Sequence, residues 1–265
     1  MNGDTVKTEA LFIYLPSQAE NMRCQADQLA DELGIPVVCE VSGETEGVYL
    51  KLDEGGLSLN DGKQEIRADL TSMLPRLRPA NLQREFLVKA VKIKSVTRQL
   101  RVFDATAGMG EDSLILAAAG CDVHLYELDP VIAALLKDAL RRGADVPELA
   151  EAVGRMHLTQ GDSIAAMRRF GEEADGWRPD VVLLDPMFPQ RQKSALVKKK
   201  FQLIHQLEKP CSDEEEMVDA AIAARPVKIV IKRPVKGAYL AGRKPGYSIE
   251  GKAIRYDCTV FPENM

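Results

Sequence analysis

The chain is poor in cysteine and histidine and has no long apolar run, and each shortage closes off a class of function. Its 265 residues include five cysteines, Cys24, Cys39, Cys121, Cys211 and Cys258, scattered without a Cys-x-x-Cys pair and odd in number. That argues against a disulfide framework or a cysteine-bound zinc and for the reducing cytoplasm. The three histidines, His124, His157 and His205, are too dispersed along the chain to read as ligands, so no metal is expected. No apolar stretch approaches the ~18 residues that a membrane span needs. The opening MNGDTVKTEA lacks the basic-then-apolar order of a secretory signal. There is no repeat and no low-complexity linker.

What is present suits a soluble chain with a real core: 45% hydrophobic and 28% charged residues. The net charge of -5 argues by itself against a nucleic-acid partner, but its distribution argues the other way. Windows 72–101, 186–200 and 225–256 carry +7, +5 and +8, leaving -25 for the rest. One such window is ordinarily a solvated helix face. Three of them, two starting at motifs described below, point to a surface for phosphates.

Two rhythms divide the chain. Strands are expected at 11–15, 35–41 and 48–52, a helix at 17–33 ended by Gly34, and a hairpin turn at Asn60-Asp61-Gly62. This reads as a small N-terminal α+β domain over 1–78, with a boundary in the Pro-containing 74–81 and an amphipathic helix from Asn81. From residue 101, strands (101–105, 122–127, 155–160, 180–185, 227–232) alternate with helices (111–119, 130–142, 163–170, 194–207, 213–224), and a last strand is expected at 254–261. Near-continuous apolar strands with helices between them predict a doubly wound, Rossmann-like α/β core over 79–265. Its ligands bind beyond the carboxyl ends of the strands, where strand order reverses.

The motifs fall at those ends. In VFDATAGMGEDS, Asp104 closes a strand and Gly108 and Gly110 precede a helix whose first turn carries Glu111 and Asp112. Glycines allow close backbone approach, and the helix start offers free N–H donors. Ser113 stands where a dinucleotide fingerprint has its third glycine, and acid-x-x-x-Gly-x-Gly is similar to motif I of class I methyltransferases, a likeness that sets Asp104, Gly108 and Gly110 against the methionine portion of the cofactor. Glu127 ends the next strand, where a carboxylate can accept both ribose hydroxyls, while Asp129 before Pro130 fits a helix cap. Asp162 and Ser163 after the third strand read equally well as an adenine-side pair or as a cap.

The fourth motif decides between cofactor classes. Asp185-Pro186-Met187-Phe188 follows a buried strand and resembles the acid-Pro-Pro-aromatic loop of amino-group methyltransferases. Asp185 and a main-chain carbonyl near Pro186 can accept the hydrogens of an exocyclic amine and aim its nitrogen at a methyl group. Phe188 can stack on an unpaired base. Arg191, Lys193, Lys232 and Arg233 lie where they could hold phosphates.

Together, DATAGMGEDS, YELDPVIAALL, LDPMFPQRQKSALVKK and VIKRP resemble the ribosomal RNA small subunit methyltransferase J family. The resemblance implies methylation of guanine N2 in 16S rRNA near its 3′ end, on free rRNA or on the small ribosomal subunit, with S-adenosyl-L-methionine as cofactor. It places Glu111 and Asp112 in the cofactor loop, Glu127 and Leu128 at the ribose, Asp162 and Ser163 at the adenine, and Asp185 at catalysis. Two departures stand out: Glu111 replaces a usually basic residue, and RLRPANLQREFLVKAV lacks the family's usual glycines. The competing readings are methylation of another amine (DNA adenine, protein glutamine or a small molecule), a catalytically silent RNA-binding module, and a nicotinamide dehydrogenase. Ser113 argues against the last.

Overall fold

Alternating apolar and polar residues in the first seventy positions build a small sheet. The computed structural model describes residues 11–40, 47–172, 177–186 and 214–264. Met187, Phe188, Arg191, Lys193, His205 and the helix expected at 194–207 lie outside them. The small sheet holds β1 (Ile13–Tyr14), β2 (Val37–Val38), β3 (Tyr49–Asp53), β4 (Gly56–Asn60) and β5 (Glu65–Arg67) in the order β2-β1-β3-β4-β5. The expected hairpin is there, with Asp61 Oδ1 accepting the amides of Lys63 (2.9 Å) and Gln64 (2.7 Å). The helix expected from residue 17 begins as a 3-10 turn, and α1 (Arg23–Leu33) follows, ending at left-handed Gly34 as foreseen.

The expected boundary is two one-turn helices, α2 (Leu74–Leu77) and α3 (Pro79–Leu82), with Arg78 extended between them because a proline follows. The helix expected from Asn81 starts late, as α4 (Phe86–Val91). Arg76 grips both oxygens of Glu85 at 2.9 Å, and Glu85 is held out of helical geometry.

The second sheet holds β6 (Arg101–Asp104), β7 (Asp122–Glu127), β8 (Met156–Gln160), β9 (Val181–Leu184), β10 (Lys228–Pro234), β11 (Tyr247–Glu250) and β12 (Ile254–Val260). Its order is β11-β12-β10-β9-β6-β7-β8, with β12 antiparallel to both neighbours and β6 through β10 parallel. Strand order therefore reverses between β6 and β9. The connecting helices are α5 (Glu111–Ala118), α6 (Pro130–Ala144), α7 (Pro147–Val153), α8 (Ser163–Glu172) and α9 (Glu214–Ala223). Neither α7 nor β11 is foreseen from the sequence. The strands split their side chains strictly: Val102, Val181, Leu183 and Val230 pack toward α5, while Phe103, Val182, Leu184 and Ile229 pack toward α8 and α9.

Helix α6 is buried on two sides. Leu136 and Ala139 face the large sheet, and Val131, Ile132, Ala134 and Leu135 complete the core of the small one. Asp138 fixes this docking: its buried carboxylate accepts the Leu57 amide of β4 (2.9 Å) and Arg142 Nε (2.8 Å), and Arg142 also donates to Ala68 O. The register of β7 on β8 sets His124 directly against His157. These two histidines, which are too far apart along the chain to read as ligands from the sequence, are thus neighbours in the sheet.

Asp138→Ala should destabilise the fold by about 3–5 kcal/mol, because Arg142 and the Leu57 amide lose a buried acceptor. Lys137→Ala, which removes an exposed pair with Glu32, should cost less than about 1 kcal/mol. Urea unfolding of both variants checks this, and equal losses would show that Asp138 is no special anchor.

Candidate active site

The site is assembled at the carboxyl edge where β6, β7, β9 and β10 end. Asp104, at the end of β6, is 2% exposed. It accepts the Ser113 hydroxyl (2.6 Å) and the Thr106 amide (3.1 Å). It therefore lies beneath the glycine loop as a brace rather than on its ligand side, where the sequence reading set it. Burial pushes its pKa up to about 7, against the pull of these two hydrogen bonds.

The two glycines of the loop serve different ends. A Cβ on Gly110, whose φ of +76° disfavours a side chain, would stand 2.6 Å from Leu136 Cδ1 on α6 and force that side chain to shift. Gly108 (φ +52°) has no atom within 4 Å of where a Cβ would stand, so the space beside it is open. Glu127 Oε2 accepts the Gly108 amide and Oε1 the Asp129 amide, both at 2.9 Å. Each oxygen keeps a further lone pair. Leu128 beside it is 70% exposed, unusual for leucine and suited to the flank of a nucleoside. An open backbone, a strand-end carboxylate, an exposed apolar side chain and a helix start fit S-adenosylmethionine.

Asp129 caps α6 through the amides of Val131 and Ile132, as foreseen. Asp162 likewise caps α8, accepting from Ile164 (2.8 Å) and Ala165 (3.3 Å), and Ser163 is buried. Glu111 is exposed and lines a cavity of about 230 Å³ between Met109 and the small unit's Arg67, Asp69 and Ser72.

Three charges meet at the centre. Lys232 Nζ donates to Asp112 Oδ2 (2.5 Å) and pairs with Asp185 Oδ2 (2.8 Å). The Asp185 amide donates to Thr106 Oγ1 (2.7 Å), tying the catalytic motif to the glycine loop. Burial opposes the charge on Lys232, but its two carboxylate partners hold its pKa far above the ordinary lysine value. Burial raises the pKa of Asp185, and Lys232 opposes that rise without cancelling it. Tyr256, paired with Lys232 across β10 and β12, is buried beside the same charges, and burial raises its pKa too. The sequence reading missed Thr106 and Tyr256. A hydroxyl inside the DATAG loop was a usable signal for the first; nothing local marks the second.

Two expected phosphate ligands are corrected. Lys232 is engaged by carboxylates, and Arg233 is 6% exposed with its Nε donating to Ala238 O. In the same window Lys228 donates to the carbonyls of Ala90 and Lys92, and Arg255 binds Asp257. Exposed cations stand on the α2–α4 segment, at Arg78, Arg84 and Lys89, which packs on α5 and β10 to β12, and at Lys236 just after β10. Arg191, Lys193 and Phe188 lie outside the described residues.

Residues 29–261 match the SAM_MT family of SAM-dependent methyltransferases. The ribosomal RNA small subunit methyltransferase J of Thioalkalivibrio sulfidiphilus is 41% identical over 248 residues, 91% of this chain and 95% of its own. That of Pseudomonas aeruginosa is 38% identical over 264 residues, 97% of each. The crystal structure of a SAM-dependent methyltransferase from Neisseria gonorrhoeae, 30% identical, superposes with a TM-score of 0.71, covering 94% of this chain and 95% of that one.

Asp104 titrates near ~4 when unfolded and at about 7 when folded. Between these values the folded chain keeps a proton that the unfolded chain has lost. Its contribution is full below pH ~4 and is lost as pH rises through 7. Asp104→Asn should therefore reduce the fall in unfolding free energy between pH 5 and 8 by roughly 2–3 kcal/mol. Urea titrations of both proteins at the two pH values measure this, and parallel pH profiles would contradict it.

Proposed function

The chain belongs to the ribosomal RNA small subunit methyltransferase J family of SAM-dependent methyltransferases, and on that premise we propose that it methylates the exocyclic N2 amine of a guanine in 16S rRNA, free or within the small ribosomal subunit. The observation that carries the reading is the Lys232 bridge, which sets Asp185 beside the cofactor loop.

Bound S-adenosylmethionine supplies a methyl group made electrophilic by its sulfonium. The remaining lone pairs of Glu127 accept the ribose hydroxyls, Leu128 flanks the nucleoside, and the space at Gly108 receives the methionine portion. The first amides of α5, at Glu111 and Asp112, receive its carboxylate. Asp162 and Ser163 border the adenine.

Guanine N2 is a poor nucleophile because its lone pair is delocalised into the ring. Lys232 occupies Asp185 Oδ2, so Oδ1 accepts an N2–H and turns the nitrogen toward the methyl group. The Pro186 carbonyl accepts the second hydrogen and Phe188 stacks on the base. As nitrogen gains the methyl group it becomes positive, and the Asp185 carboxylate stabilises that charge and accepts the surplus proton before passing it to water. The elevated pKa of Asp185 suits this acceptance.

The RNA backbone lies along the exposed cations of α2–α4, and Arg191 and Lys193, outside the described residues, belong to the same proposal as phosphate ligands. Residues 1–78 form the smaller domain and 79–265 the methyltransferase domain, in the cytoplasm, as parts of the same proposal.

Asp185→Asn should lower single-turnover methyl transfer on the order of 10²–10³-fold with cofactor affinity and thermal melt little changed. Near-native rates per folded molecule, or a loss confined to cofactor binding, would remove Asp185 from catalysis. Arg78→Glu and Arg84→Glu should weaken RNA binding and flatten its salt dependence by about one counterion each, leaving cofactor affinity intact. Filter binding across a salt series tests this, and unchanged slopes would put the RNA elsewhere.

A further inference from the structure

At the opposite end of β7 from Glu127, the large sheet carries a second cluster that methyl transfer does not use. We propose that Asp122, His124 and His157 form a binding site for a divalent transition cation of the zinc class. Register builds the cluster. His124 and His157 pair across β7 and β8, so their side chains leave the same face, ~4.8 Å apart at the backbone. Asp122, two residues before His124, shares that face.

The donor atoms converge. Asp122 Oδ1 stands 2.9 Å from His157 Nε2, and Asp122 Oδ2 stands 3.7 Å from His124 Nε2. One ligand atom from each of the three residues lies within 4.8 Å of the others. A tetrahedral zinc with bonds of ~2.0–2.1 Å spaces its ligand atoms ~3.4 Å apart. The two carboxylate–imidazole separations, each to a different oxygen of Asp122, lie on either side of that value. The ring of His124 is fixed by Trp177, with centroids 4.1 Å apart, and Trp177 rests in turn on Phe170 of α8. The side chain of His157 is 50% exposed, so the fourth position opens to water.

Charge points the same way. The Asp122 side chain is 27% exposed, and among the described residues its ion-pair partners are the two imidazoles alone. No lysine or arginine among the described residues pairs with this carboxylate, so a divalent cation would supply its formal counter-charge. Two nitrogens and one carboxylate favour zinc, cobalt or nickel over magnesium and calcium, which prefer oxygen ligands throughout. Occupancy would pin the edge strand β8, which leads into residues 161–163 at the cofactor edge.

The inference does not depend on methyl transfer and is tested without it. The probe is zinc chloride titrated by calorimetry into the chelator-stripped full chain, with cobalt(II) visible absorption as a second readout. Cys24 and Cys39 are exposed thiols, so the background carries Cys24→Ser, Cys39→Ser and Cys211→Ser. One equivalent should bind, and zinc should raise the melting temperature. His157→Ala and Asp122→Asn should each weaken zinc by at least about tenfold and abolish the thermal shift, while their metal-free melts and far-UV spectra match the parent's. No stoichiometric binding, affinity unchanged in both variants, or magnesium binding as tightly as zinc would overturn the proposal. Asp122→Asn keeps the size of the side chain, so it decides the matter even if His157→Ala perturbs the edge strand.

Discussion

One ammonium group, Lys232 Nζ, holds the active edge together. It links the first turn of α5 through Asp112 to the loop after β9 through Asp185, from a strand of its own. Withdrawing a lysine from water is costly, and it is tolerated here because two carboxylates meet it at hydrogen-bond distance. Removing Lys232 would leave two carboxylates facing each other without a counter-charge, whereas losing either carboxylate still leaves one intact pair. The Thr106–Asp185 and Ser113–Asp104 bonds extend the same framework below the glycine loop. Catalysis by orientation needs such a frame, because an acceptor misplaced by an ångström no longer aims its amine.

The second organising element is α6, an apolar helix with a sheet on either side. Its second-sheet contacts explain why PVIAALL is hydrophobic almost all round, a pattern of burial on more than one face. The same docking brings the small unit to the cofactor loop, where Arg67, Asp69 and Ser72 share a cavity with Met109 and Glu111. Glu111 thus stands at a seam between the two sheets.

Most of the architecture was readable because it depends on local chemistry. Apolar runs gave β6 to β10, Asp129-Pro130 marked the start of α6, and Gly34 ended α1. What was misread depends on partners distant in sequence. Lys232 and Arg233 look like surface charge until Asp112, 120 residues earlier, and the 238 carbonyl are seen beside them. The late start of α4 follows from the Arg76 grip on Glu85, which no helix propensity reports. His124 and His157 look unrelated until the register of two strands is known. The mostly half-exposed β11 has no strong apolar pattern, since it lies at the sheet's edge.

The borrowed core has a consequence for biosynthesis. The strands of the small sheet all precede residue 68, but part of the apolar surface that they bury belongs to Val131, Ile132, Ala134 and Leu135. On a ribosome the chain emerges from its amino end, at roughly 5–20 residues per second. For several seconds the nascent small sheet has no α6 to close on. Its apolar face must wait, uncovered or chaperoned, until α6 has been made.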